Sequence, residues 1–315
     1  MRRLQLQLWC ACLVSFVCWA RVDAATAVWI DSDPSIGPPW REVDDAFGLL
    51  LAFRSPELRI VGISTTYGNV SLPRTTTVAR ALVQRFGALG VTERQVFAGA
   101  MSAADVQRET EASRALRAAL QRERNLTYIA LGPLTNLAAL QRLHPVEARG
   151  IARVVVLGGH RRETELVLGP RDWPRIHDAN IFKDPAAAAQ VLHSGIALTL
   201  APFESSSRFR INQADWRRIT RGALGDYLRP RTAAWRWFWR QVSGDDGGPL
   251  FDMLPILAVA RPDLVGSDPS FATMGSDGAL LIEDRKSPGA VEVSVLRPAS
   301  AAGKRLVIDR LATER

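Results

Sequence analysis

Between residues 28 and 202, short apolar runs alternate with stretches of helical periodicity. This feature constrains the fold most. The runs "AVWI", "LRIVGIS", "LTYIAL", "ARVVVL" and "IALTLA" are continuous rather than alternating in polarity, as expected of strands covered on both faces. Helical patterns fall between them at 44–54, 75–86, 104–123, 135–142 and 185–194. Strand–helix alternation of this kind predicts an α/β fold with a mostly parallel, doubly wound sheet. Such sheets bind ligands at the carboxyl ends of their strands. Beyond residue 202 the pattern changes. Residues 212–243 and 251–260 read as helices, and "SFATM", "ALLIE", "AVEVSVL" and "RLVIDRL" read as small terminal strands. The C-terminal third is therefore expected to embellish the main sheet, within one domain over residues 25–315.

The N-terminal segment is of a different kind. Arg2 and Arg3 precede an apolar stretch from Leu4 to Ala20, and Val22-Asp23-Ala24 has the small-residue form of a cleavage site. Residues 1–24 read as a secretory signal peptide cut after Ala24, which predicts a periplasmic or secreted protein that leaves the membrane once cleaved; the alternative is an uncleaved membrane anchor, for which the stretch, interrupted by Gln5 and Gln7, is short. All three cysteines (Cys10, Cys12, Cys18) lie in that segment, so the mature chain would have neither disulfide nor thiolate metal site. The net charge of +8 comes from arginines scattered among Ala and Leu. They read as solvated helix faces rather than as a patch for nucleic acid.

Chemistry concentrates in "VWIDSDPSIGPPWREVDDAFGLLLAFR", residues 28–54. Asp31 ends the first strand, Asp33 follows it, and Asp44 and Asp45 open a helix whose dipole favours negative charge. The Pro- and Gly-rich segment between them must be a loop, able to fold back and bring Asp33 beside Asp45. Carboxylates crowded together repel unless a cation shares them. An all-oxygen donor set suits a hard cation, Ca²⁺ first and Mg²⁺ second. The alternative is that Asp44 and Asp45 only cap the helix. Other strand ends add polar groups to the same rim: Thr65, Thr66 and Asn69; the turn Leu131-Gly132-Pro133; Gly158-Gly159; and Asp178 with Asn180. A dinucleotide-binding dehydrogenase is excluded for want of G-x-G-x-x-G after the first strand.

Six blocks taken in order resemble the inosine-uridine type nucleoside hydrolases. They are Asp31-Ser32-Asp33-Pro34 with Asp44-Asp45, Gly68-Asn69-Val70, "ALGPLTNLA", "VVVLGG", "DANIFKDPAAAAQVLHSG" and "FDMLPILAVARPDL". The resemblance implies a calcium-dependent enzyme that hydrolyses the N-glycosidic bond of small-molecule ribonucleosides and forms a homodimer or homotetramer. It implies metal ligation by Asp33, Asp45, Asp252 and the backbone carbonyl of Leu131, with Asp33 also acting as catalytic base on a water. Asp44 would grip the ribose 2′-hydroxyl, and Asn69, Asp178 and Asn180 the other sugar hydroxyls.

The chain departs from the family pattern at several points. Leu131 stands where Thr is usual, and Asp178 where Glu is usual. The loop between the two aspartate pairs is longer than in many members. Phe251 replaces the His of the family's His-Asp pair, so stacking on the base is its expected role. After "VFAGA", "MSAADVQRE" replaces a His- and Gly-rich loop. The metal and ribose half of the site thus reads as intact and the base half as altered. His160 and His177 are candidate acids for the leaving group. The alternative to an enzyme is a metal-dependent nucleoside-binding protein. Trp235 and Trp239, four apart on one helix face, read as core packing, with a lid over the base as the alternative.

Overall fold

The structure, a computed structural model, describes residues 25–167, 175–244 and 248–313. The signal peptide and its cleavage site lie outside the described residues. Ten strands form one sheet: β1 (Thr26–Ser32), β2 (Leu58–Thr65), β3 (Val96–Ala98), β4 (Leu126–Ala130), β5 (Ile151–Leu157), β6 (His160–Arg161), β7 (Ala197–Ala201), β8 (Ser267–Met274), β9 (Leu280–Glu283) and β10 (Val291–Leu296). Their order is β3-β2-β1-β4-β5-β7-β10-β8-β9-β6. From β3 to β10 every pairing is parallel, and β10–β8 and β8–β9 are antiparallel. The predicted α/β class with a mostly parallel sheet is what the chain adopts. The helices are α1 (Asp44–Phe53), α2 (Leu72–Phe86), α3 (Glu111–Leu120), α4 (Thr135–Leu143), α5 (Pro145–Ala148), α6 (Ala179–Lys183), α7 (Pro185–Leu192), α8 (Phe203–Ser206), α9 (Gln213–Ile219), α10 (Gly222–Ser243), α11 (Met253–Ala260) and α12 (Ala301–Ala312).

The continuous apolar runs are explained by cover on both faces. In β1, Val28 and Ile30 join the core under α1 and α11, while Ala27 and Trp29 join a second core with Leu137 and Leu140 of α4. Successive side chains of a strand point to opposite faces, so a strand with a helix layer on each side is apolar throughout.

Three elements differ from expectation. "RLVIDRL" belongs to a helix, not a strand. Ser300 Oγ caps α12 by accepting from Gly303 N (3.0 Å), and Gly303, Val307 and Leu311 recur every four residues on its buried side; the β-branched Val307-Ile308 pair masks that period. The single helix expected at 104–123 breaks into a 3₁₀ turn at Ala103–Gln107 and α3, because Thr110 and Ser113 form a reciprocal cap (3.1 and 2.8 Å) that starts a new helix. The 212–243 helix is likewise two, with Asn212 capping α9. β3 and β6, of three and two residues, are too short to show a period. No helix among the described residues is long and apolar enough to cross a membrane.

Candidate active site

Register puts the polar residues at one edge. β1 pairs with β2 through Asp31↔Ser64 and Ser32↔Thr65, and with β4 through Asp31↔Ala130. The segments leaving β1, β2, β4, β5 and β7 therefore surround one hollow of about 240 Å³, with Asp44, Asp45, Asn69, Leu131, Asp178, Asn180, Phe251 and Asp252 on its wall. Asp33 lies immediately behind that wall.

Asp45 is held from three directions. Ser32 Oγ (2.6 Å) and the Asp33 amide (3.0 Å) donate to Oδ1, and Asn69 Nδ2 (2.8 Å) donates to Oδ2. Asp33 Oδ2 accepts from the Asn69 amide at 2.5 Å, whereas its Oδ1 is buried with no hydrogen bond. Two glycines permit this approach. A Cβ on Gly68 would fall 1.9 Å from Asp33 Oδ2, and one on Gly132 would fall 2.6 Å from Oδ1. Asp252, at the start of α11, is buried, and neither of its carboxylate oxygens has a hydrogen bond. Gly48 of α1 lies against it, with a virtual Cβ 3.0 Å from Asp252 Cβ, so the closeness of α1 and α11 sets the distance between the acids.

Asp44, Asp45 and Asp252 each offer an oxygen within 4.8 Å of the others. Asp33 sits beside this trio rather than within it, and Asp44, read from the sequence as a sugar ligand, falls inside it. Burial first, and then repulsion from its acidic neighbours, pushes the carboxyls of Asp33, Asp44 and Asp252 well above the ordinary range. Burial pushes Asp45 up to about 6, against the pull of its three donors and Lys183. Buried carboxylate oxygens without donors cost free energy, and oxygens so spaced match the ligand shell of one hard cation. The residues fit a divalent metal ion.

The residues read from the sequence as sugar ligands are also held in place. Asn180 Nδ2 donates to the carbonyls of Leu131 (2.7 Å) and Leu157 (3.2 Å). Asp178 caps α6 by accepting from Ile181 N (3.3 Å), and its other oxygen accepts from Gly159 N (2.6 Å). Its short side chain is thus fixed by backbone amides at the rim. Phe251 stacks on Phe203, with centroids 5.9 Å apart. His177 reaches the hollow and stacks on Phe182; His160 lines a neighbouring cavity instead. Trp235 and Trp239 are 3% and 0% exposed, which makes them core.

Phe203 and Glu42 are among the wall residues that the sequence does not single out. Phe203 follows β7, where the strand-end rule should have found it. Glu42, two residues before the aspartate pair, resembles any loop acid.

The decisive comparison is with a family model, that of the inosine-uridine preferring nucleoside hydrolases, which matches residues 28–312. The chain belongs to this family. It is thereby a hydrolase acting on N-glycosyl bonds. Among family relatives, a protein named pyrimidine-specific ribonucleoside hydrolase RihA from Enterobacter sp. (strain 638) is 28% identical over 271 residues, 76% of this chain and 80% of the relative. The solved plant nucleoside hydrolase PpNRh1 superposes with a TM-score of 0.76 at 23% identity, covering 92% of this chain and 99% of that one. The purine-preferring ribonucleoside hydrolase from Gardnerella vaginalis gives 0.74 at 20% identity, covering 91% and 98%. The two structures share the fold.

Proposed function

We propose that the protein is an exported, calcium-dependent ribonucleoside hydrolase in which Asp33 is the catalytic base. The observation that carries this reading is the set of buried carboxylate oxygens on Asp33 and Asp252 that no donor among the described residues satisfies, beside the trio of Asp44, Asp45 and Asp252. Asp33, Asp45, Asp252 and the Leu131 carbonyl would hold the ion. A bound calcium ion supplies Lewis acidity, which lowers the pKa of a water molecule.

The chain's own residues supply the rest. Asp33 takes the proton from the attacking water. The water oxygen bonds to C1′, the C1′–N bond breaks, and the base departs with the bonding pair and takes a proton from solvent, while Asp33 returns the water's proton to solvent. Positive charge builds on the ribose as that bond lengthens, and Asp44 and its acidic neighbours stabilise it. Asp44, Asn69, Asp178 and Asn180 bind the sugar hydroxyls. A substrate lacking the 2′-hydroxyl leaves a buried polar group without its partner, so deoxyribosides are disfavoured. Phe251, with Phe203, provides an aromatic face for the base. Export rests on the basic, apolar and small-residue order of residues 1–24.

The competing reading is a nucleoside-binding protein, favoured by Phe251 in place of a protonating His. Incubation of the calcium-loaded protein with inosine, uridine and p-nitrophenyl riboside separates the two. Release of ribose from a nucleoside is expected. Nitrophenolate leaves without an acid, so turnover of that substrate alone would mean that leaving-group activation is lost. Calorimetric binding without any turnover would establish the binder.

A further inference from the structure

Resting on that proposed function, we propose that Glu42 selects the base: its carboxylate accepts a hydrogen bond from a ring N–H or exocyclic amine of the nucleobase. Glu42 forms part of the same wall as Asp44, yet nothing in the reaction above employs it. It does not cap α1, where Val43 holds the cap position and makes no side-chain bond.

The side chain is held in place from outside the pocket. Trp235 Nε1 donates to Glu42 Oε2 at 2.6 Å across 193 positions of sequence. Trp235 comes from α10 and is buried. A free glutamate loses rotamer entropy when it meets a ligand; one already tied to a buried tryptophan loses less. A carboxylate has about four acceptor sites, so one indole leaves capacity for a ligand.

Position points to the base rather than the sugar. With Asp44 on the 2′-hydroxyl, C1′ and the base it carries are next to that hydroxyl, and Glu42 shares the wall with Asp44 two residues away. The same hollow is also lined by the apolar or aromatic Ile176, Ala201, Phe203 and Phe251. The polar Ser206 donates its hydroxyl to the Pro202 carbonyl (2.8 Å). A bound group with no N–H leaves the remaining acceptor capacity of Glu42 unmatched in the hollow, which costs free energy and so discriminates between leaving groups. Hypoxanthine and uracil present ring N–H groups, and adenine and cytosine present amines. The nitrophenyl group presents no N–H.

The test is steady-state kinetics of the calcium-loaded full chain on inosine, uridine and p-nitrophenyl riboside, for wild type, Glu42→Ala, Glu42→Gln and Trp235→Phe. The quantity read is the ratio of kcat/KM for each nucleoside to that for the nitrophenyl riboside. Glu42→Ala should lower the ratio at least about tenfold. Glu42→Gln, which keeps an acceptor oxygen, should restore part of it. Trp235→Phe unties the carboxylate without deleting it and should lower the ratio about threefold or more, which keeps the test open if the alanine variant fails to fold. A ratio unchanged within about twofold in the folded variants overturns the role of Glu42. Wild-type protein inert toward all three substrates instead sinks the function on which it rests.

Discussion

Asp252 concentrates the cost of this site, since it is buried, repelled by three acids, and given no donor on either oxygen. Asp252→Asn should therefore do two opposite things. In chelator it should raise stability by about 1–2 kcal/mol, because one buried like charge is gone; thermal unfolding reads this. With calcium restored, kcat/KM should fall by roughly a thousandfold or more on every substrate. Asp33→Ala and Asp45→Ala should each abolish turnover and calcium binding with the fold kept, checked by calorimetry and circular dichroism. The two aspartate pairs were legible because "DSD" and "VDD" flank an obligatory loop. Asp252 was not legible by spacing, since its convergence with Asp45 is a tertiary fact; only resemblance pointed to it. Glu42 had no local signature, because its meaning comes from the contact with α10; Phe203 had one, its place just past the end of β7.

At the scale of elements, turns and helix contacts decide the geometry. The turn after β2 passes so close to Asp33 that Gly68→Ala would drive a methyl into its carboxylate. Its expected cost is about 1–3 kcal/mol of stability, with a loss of activity common to all substrates, measured by urea unfolding and ribose release. Trp239, fully buried in α10, should cost roughly 3–5 kcal/mol when cut to Ala. Trp237→Ala on the same helix, at a position 54% exposed, should stay within about 0.5 kcal/mol. The strands were readable because continuous apolar runs admit few other structures. Helix ends were less so, since reciprocal caps such as Thr110–Ser113 break a helix without disturbing its hydrophobic period.

For the whole molecule, pH and cation are linked. Burial lifts Asp31 and Asp45 from an ordinary 3.8 to about 6. In chelator the folded state thus binds more protons than the unfolded state between those values. The stability these groups contribute is complete below pH 3.8 and is lost as pH rises through 6. For Asp31 alone the loss amounts to about 3 kcal/mol. A cation reverses the preference by favouring the ionised acids. The stability difference between calcium-loaded and chelated protein should accordingly widen from pH 4 to pH 7, as denaturant titrations at several pH values would show. A gap that is flat or narrows with pH would contradict the shared-cation account.

The place of β10 in the sheet has a consequence for biogenesis. It joins β7 on one side and β8 on the other, so β10 bridges the parallel body to its antiparallel margin. Until residues 291–296 leave the ribosome, β7 keeps a bare edge with open amides and carbonyls. A nascent chain of this design cannot complete the sheet before β10 is made, and the open edge is a place for a chaperone's cover until then.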